Sequence, residues 1–164
     1  MILHFYADKK VLECRTGNDE KLIKASSIVR NELNRRRSLT NPKDVVYAIT
    51  NDHYNKHPYM PRSFPWGQWE VYPPVKGHGW TAPWFIPTNA TRKVTVWTVQ
   101  RDGTYGYETP DTVIDTGYGI HYSESITTLG CIRIHTLNDI EWLAKAIRAE
   151  AEAGHANTLI AQGA

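Results

Sequence analysis

The sequence predicts a strand-rich α+β domain with two helices. Apolar residues alternate with polar ones over Ile2–Cys14 and again over Val94–Gln100, which is the period of half-buried strands. The apolar spacing becomes helical over Asp19–Arg37 and again after Ile134. A chain of 164 residues has the length of one domain, and its 41% hydrophobic and 22% charged residues are typical of a folded globular chain.

The first elements are predicted to be a hairpin and a helix. Asp8-Lys9-Lys10 interrupts the alternation of Ile2–Cys14, which indicates strand, polar turn and strand. We predict a helix over 18–37, with Asn18 as its N-cap. Its apolar stripe consists of Leu22, Ala25, Val29 and Leu33, widened by Ile23 and Ile28.

Residues 38–92 are rich in proline and tryptophan. Short strands are predicted over Val45–Thr50 and Gln68–Tyr72. The remainder is expected to be ordered loop, because disordered linkers seldom contain so many tryptophans. These tryptophans are Trp66, Trp69, Trp80 and Trp84.

The C-terminal half is predicted to hold strands and then a helix. A strand over Val94–Gln100 is followed by an Asp102-Gly103 turn, a returning strand over Thr104–Tyr107 and an extended stretch over Thr112–Tyr122. The last helix has a stripe of apolar residues, Thr136 or Asn138 as cap, and Gly154 at its end. The stripe is Ile140, Leu143, Ala144 and Ile147. We therefore predict one domain over 1–155, with 18–37 and 52–92 as possible inserts, and a frayed tail over 156–164.

Charge and cysteine content narrow the functional class. The net charge of +2 does not indicate a nucleic-acid partner, and no apolar run is long enough to span a membrane. The first residues do not resemble a signal peptide, so we expect synthesis in the cytoplasm. Cys14 and Cys131 are far apart, and no second cysteine stands near either. This excludes CxxC redox motifs and four-cysteine zinc sites, and it leaves one disulfide or two free thiols. No cofactor or metal is expected, and no pattern indicates an oligomeric state.

The residues with the clearest chemical potential lie between 117 and 134. A predicted strand ends at His121, and a polar connection leads to Thr128-Leu129-Gly130-Cys131. A neighbouring imidazole can take the proton of a cysteine and so create the thiolate nucleophile. A glycine before the nucleophile permits a sharp turn and close approach of the substrate. Arg133 shares a strand face with Cys131, where it can lower the thiol pKa or bind a carboxylate.

These residues resemble the signature of the L,D-transpeptidases, the YkuD-like catalytic domains. The resemblance is specific over 117–148 and is carried by an upstream histidine followed by Thr128-x-Gly130-Cys131-Ile132-Arg133. Three further features agree in order with other elements of the family: the opening hairpin with Thr16-Gly17, the stretch from Met60-Pro61 through Gly67–Val71, and Asp139 after the cysteine. The family is mostly β, with a sandwich-like pair of sheets and a groove over the cysteine.

The resemblance implies an enzyme that acts on the peptide stems of peptidoglycan, with Cys131 as nucleophile and His121 as general base. Backbone N–H groups around Gly130 and Cys131 would form the oxyanion hole. Candidate substrate-binding or supporting residues are Arg133, Thr128 and Tyr122. Hydrolysis would make the protein an L,D-carboxypeptidase or endopeptidase, and transfer would make it a transpeptidase.

Two departures from the family pattern indicate a short-loop member. His121 and Cys131 are only ten positions apart, and Leu129 stands where many members have a second histidine. Short loops and the lack of a signal peptide are typical of phage-encoded endolysins and delivered effectors. We therefore expect action on the cell wall or periplasm after release or delivery.

Three alternatives remain open from the sequence. A papain-like or NlpC/P60 cysteine peptidase would need a histidine after the cysteine, and only His135 and His155 follow Cys131. A non-enzymatic cell-wall or carbohydrate-binding module would use the Trp-rich loop as its platform. A metal site would draw on His53, His57, His78, His121 and His135.

Overall fold

A computed structural model describes residues 1–28, 34–37, 46–50, 64–99, 105–128 and 130–162. These residues form a mostly β structure with one α-helix in the described part of the chain, which confirms the predicted mostly β, α+β class. The helix is α1 (Leu137–Glu152), and a short 3-10 turn covers Gly79–Thr81. The strands are β1 (Ile2–Tyr6), β2 (Val11–Thr16), β3 (Asp19–Ser26), β4 (Asn34–Arg37), β5 (Val46–Thr50), β6 (Gly67–Glu70), β7 (Val75–Lys76), β8 (Trp84–Pro87), β9 (Arg92–Val99), β10 (Tyr105–Asp115), β11 (Gly119–Tyr122), β12 (Ile132–Ile134) and β13 (Thr158–Gln162).

The chain divides into two compact units. The first unit comprises Met1–Arg30, Met60–Thr91 and Thr116–Ala164 and contains a nine-stranded mixed sheet in the order β6-β13-β1-β2-β3-β12-β11-β8-β7. The sheet curls, so that Val71 after β6 forms a bridge with Thr88 after β8. The second unit comprises Asn31–Tyr59 and Arg92–Asp115 and contains an antiparallel sheet in the order β10-β9-β5-β4.

The predicted hairpin and the predicted strands are confirmed. β1 and β2 pair antiparallel across the polar turn, and β5, β6 and β9 fall within two residues of the predicted positions. β10 begins at Tyr105 but continues to Asp115, so it joins two stretches that were predicted separately. The predicted Asp102-Gly103 turn lies outside the described residues. The Trp/Pro-rich segment is less loop-like than expected, because β7 and β8 lie within it.

The predicted helix over 18–37 is wrong. Residues 19–26 form β3, and residues 34–37 form β4. Gly17 and Asn18 make a two-residue hairpin turn, with Thr16 opposite Asp19 and Gly17 at φ +53°, so Asn18 is not an N-cap. Ile23 is buried, whereas Leu22 is 62% exposed, which is the alternation of a strand.

The predicted tail over 156–164 is also wrong, since residues 158–162 form β13. This strand lies between β6 and β1, antiparallel to the former and parallel to the latter. Its Leu159 and Ala161 side chains are buried in the core of the first unit. A short apolar run between polar and alanine-rich neighbours resembles a frayed end in sequence, and only its distant partner β1 makes it a strand.

Helix α1 follows the sequence prediction. The Thr136 side chain accepts a hydrogen bond from the Asp139 backbone N–H and so caps the first turn. The predicted apolar stripe is the buried face, formed by Ile140, Leu143, Ala144 and Ile147. None of the helices in the described ranges combines the length and apolar character needed to cross a membrane.

Candidate active site

Cys131 and His121 are positioned by two neighbouring parallel strands of the first unit. In the β11–β12 register, Ile120 lies opposite Ile132 and His121 lies opposite Arg133. Cys131 comes immediately before β12, two positions before Arg133. Exposure alternates from Cys131 to His135, so the side chains of Cys131, Arg133 and His121 share one face. Strand spacings place the Cys131 and His121 Cα atoms about 8 Å apart, a separation that the two side chains can bridge.

The His121 ring is held in one tautomer. Its Nδ1 atom lies 2.8 Å from the Tyr122 carbonyl oxygen, which can only accept, so Nδ1 carries the hydrogen and Nε2 holds a lone pair. The residue is 6% exposed, and burial lowers the pKa of its imidazole, outweighing the opposite effect of the Tyr122 hydrogen bond. The neutral ring is therefore favoured, with Nε2 available as a base.

The two cysteines lie in contrasting environments. Cys131 is partly exposed, and its Sγ lies 3.9 Å from the Gly117 carbonyl oxygen. Cys14 is 2% exposed in the core, and burial raises its thiol pKa to about 12. Neither cysteine takes part in a disulfide, which excludes the disulfide that the sequence left open. Only Cys131 is placed where a substrate can reach the sulfur.

Hydrogen bonds fix the turn that presents Cys131. The Thr128 hydroxyl donates to the Cys131 carbonyl oxygen at 2.8 Å and accepts from the Gly130 N–H at 3.1 Å. Thr128 is itself anchored, because its N–H donates to the Ile28 carbonyl oxygen at 2.7 Å. Thr128 thus stabilises the turn through hydrogen bonds to two of its residues.

Ser27 is a site residue that the sequence reasoning missed. Its buried hydroxyl donates to the Gly130 carbonyl oxygen at 3.0 Å and accepts from the Phe64 N–H at 2.8 Å. The sequence places Ser27 in the predicted helix over 18–37, and a helical residue there would not be expected to contact Gly130. The sequence signal is the pair Ser26-Ser27, which directly follows the alternating apolar residues Ile23 and Ala25.

Gly130 is required by geometry. Its φ is +114°, and a Cβ atom at this position would lie 2.6 Å from Cε1 of Tyr118. Its N–H is already bonded to Thr128. The geometry therefore supports a role for Gly130 in shaping the turn. For its N–H to donate to an oxyanion, the hydrogen bond to the Thr128 hydroxyl would have to break and one to the substrate form.

Replacing Gly130 with alanine should destabilise the fold and impair the site. The left-handed backbone alone costs about 1–2 kcal/mol for a residue with a Cβ, and the Tyr118 ring must also move. Gly154→Ala is the matched control, since Gly154 has φ +79° with nothing within 4 Å of an added Cβ. Urea unfolding should show a larger loss for Gly130→Ala than for Gly154→Ala, and only the former should slow alkylation of Cys131. Equal losses with unchanged alkylation would contradict this role.

Arg133 and Tyr122 were predicted to contact substrate, and the structure gives each a contact within the protein. Arg133 Nε donates to the Ser123 carbonyl oxygen at 2.7 Å and so holds the loop between β11 and Cys131. The Tyr122 side chain is partly buried against the core, and its carbonyl oxygen orients His121. Arg133 keeps its two Nη groups without a hydrogen-bond partner among the described residues.

The other predicted features are not assembled at this site. His135 bonds the Ser26 hydroxyl at 2.9 Å, and His53 and His57 lie outside the described residues. In the described part of the chain, no group of three or more His, Cys, Asp or Glu side chains is placed to hold a metal ion. Comparisons with protein-family models, with curated proteins and with solved structures find no match for the chain.

Proposed function

We propose that the protein is a cysteine enzyme that cleaves or exchanges the stem peptides of peptidoglycan. The observation that carries the proposal is the position of His121 on β11 and of Cys131 immediately before the adjacent parallel strand β12, with the His121 Nδ1 hydrogen held by the Tyr122 carbonyl oxygen. A partly exposed thiol and an imidazole with an Nε2 lone pair, on one face of two adjacent strands, are the groups that a thiolate nucleophile and its base require.

In the proposed reaction, His121 Nε2 takes the proton of the Cys131 thiol. The thiolate attacks the carbonyl carbon of the residue before a D-amino acid, and the C–N bond breaks as His121 returns the proton to the leaving amine. This step leaves a thioester on Cys131. Water then releases a shortened peptide, or the amine of a second peptide forms a cross-link, and Cys131 recovers its proton in either case.

The assignment to the L,D-transpeptidase type and its sandwich-like fold rests on the order of the histidine and cysteine in the sequence and on the structure around them. The histidine precedes the cysteine, the Thr128-x-Gly130-Cys131 turn is braced by hydrogen bonds, and the surrounding fold is mostly β. Cys131 immediately precedes strand β12, whereas a papain-like cysteine lies at the start of a helix. The proposal therefore favours a short-loop YkuD-like enzyme that reaches the cell wall after release or delivery.

Selective alkylation tests whether Cys131 is an activated thiol. Iodoacetamide should modify Cys131 rapidly near neutral pH and leave Cys14 intact, because Cys14 is buried with a pKa of about 12. Because burial lowers the pKa of His121, its ring stays neutral to a lower pH than that of an ordinary histidine, so rapid alkylation should extend toward mildly acidic solution. His121→Gln should remove this enhancement and retain the fold.

Peptide mass spectrometry after timed alkylation measures both thiols in one sample. Slow and equal modification of the two cysteines would overturn the proposal. If Cys131 is selective, release of D-alanine from a tetrapeptide stem identifies carboxypeptidase action, and incorporation of an added D-amino acid identifies transfer.

A further inference from the structure

Basic residues line the face of β12 that bears the candidate nucleophile. Arg133 and His135 follow Cys131 at alternate positions and are partly exposed, whereas Ile132 and Ile134 between them are fully buried. Alternate residues of a strand point to the same side. A row of Cys131, Arg133 and His135 therefore faces away from the core.

Lys24 extends this row onto β3, and Lys10, at the end of the turn between β1 and β2, lies near enough for its charge to act on His135. The His135 N–H donates to the Lys24 carbonyl oxygen at 3.2 Å, and the Ala25 N–H donates to the Lys10 carbonyl oxygen at 3.2 Å. Both lysines are exposed. We call Arg133, His135, Lys24 and Lys10 the basic shelf.

The basic shelf has no acidic partner within the described residues. Some other cations of the first unit do have one: Arg15 lies 2.7 Å from Glu13, and Lys21 lies 4.0 Å from Asp139. Burial, with the charges of Arg133, Lys10 and Lys24, lowers the pKa of His135. The shelf thus holds three permanent positive charges around a neutral imidazole, which creates a field that attracts an anion.

The spacing of the basic shelf suits an extended peptide. Residues along a strand rise about 3.3 Å each. Along the strand direction, Arg133 therefore lies about 7 Å from Cys131. His135 and the neighbouring Lys24 lie about 13 Å from Cys131. A peptide extended beside β12 has the same rise. Carboxylates on such a peptide would therefore meet Arg133 first and the two lysines farther from the scissile bond.

We propose that the basic shelf binds the carboxylates of an acidic peptide whose scissile carbonyl lies at Cys131. The inference rests on the proposed function and specifies its substrate class: stem peptides with free carboxylates, in preference to those in which the carboxylates are amidated. Arg133 holds the loop through Nε and offers its Nη groups to the nearer carboxylate, while Lys24 and Lys10 bind the farther one.

Binding to the Cys131→Ala protein tests this preference without turnover. Calorimetry compares a tetrapeptide stem that has free carboxylates with the same peptide amidated at those carboxylates. The free peptide should bind about tenfold more tightly at low salt, as expected for two exposed ion pairs. Adding Lys10→Gln and Lys24→Gln should reduce the preference to the part that Arg133 contributes, and should leave binding of the amidated peptide unchanged.

The matched control is Lys9→Gln with Lys145→Gln, which removes the same charge from exposed lysines outside the basic shelf. It should retain the preference. Equal binding of the two peptides, or an equal loss in the control, would overturn the inference. Tighter binding of an oligonucleotide of equal charge would also overturn it. If the Cys131→Ala protein shows the preference but the parent protein, with Cys131 intact, never turns the peptide over, the proposed function is contradicted instead.

Discussion

Replacing Cys131 with alanine should abolish turnover of stem peptides, with a loss of at least about 10³-fold, because the thioester cannot form. His121→Gln should cost about 10²–10⁴-fold, the usual contribution of a general base. Activity is measured as release of D-alanine or of the exchanged amino acid. Cys131 is partly exposed, so Cys131→Ala should unfold at close to the urea concentration of the parent protein. His121 is buried and hydrogen-bonded, so His121→Gln should unfold at a lower one, and its activity is measured without urea.

Cys14→Ala is the control for the first of these variants. Its thiol is buried in the core of the first unit and has no role in the proposed reaction, so the variant should keep its activity while losing some stability. Activity that survives Cys131→Ala would reject the nucleophile. A double variant of Cys131 and His121 should be no slower than Cys131→Ala alone, because the two groups act as a unit.

Removing residues 158–164 should prevent cooperative folding of the first unit. The deletion exposes the edges of β1 and β6, which β13 joins, and removes Leu159 from the core. The point variant Leu159→Ala should lower the free energy of unfolding by about 2–5 kcal/mol, as other buried leucines do. Urea unfolding followed by tryptophan fluorescence measures the change.

Ile160→Ala is the matched control, because Ile160 is adjacent in the strand but only half-buried. Its cost should be clearly smaller than that of Leu159→Ala. A loss below about 0.5 kcal/mol for Leu159→Ala, which is typical of surface positions, would show that residues 158–162 contribute little and would support the frayed tail.

Elements fixed by local interactions were predictable from the sequence. The polar turn at 8–10 determines the first hairpin, and the Thr136 cap with its four-residue apolar stripe determines α1. Both are specified by neighbours within a few positions. The turn that presents Cys131 is also local, because Thr128 bonds Gly130 and Cys131, whereas the roles of Cys131 and His121 stay predictions from the motif.

Elements fixed by distant partners were not predictable. The apolar residues of 19–26 fit a helical and a strand period equally well over so short a length, and pairing with β2 and β12 selects the strand. β13 depends on β1, more than 150 positions away. Ser27 contributes to the site only because β3 brings it against Gly130.

The position of β13 has a consequence for biosynthesis. While residues 158–162 are still inside the ribosome, β1 and β6 lack the strand that joins them and each has an unpaired edge. By that time β11, β12 and the turn before Cys131 have already been synthesised. Unpaired strand edges are templates for aggregation, so this interval is when the chain most needs a chaperone. The thiol turn is synthesised before the sheet that supports it can close, and reactivity of Cys131 should therefore arise only after translation has passed residue 162.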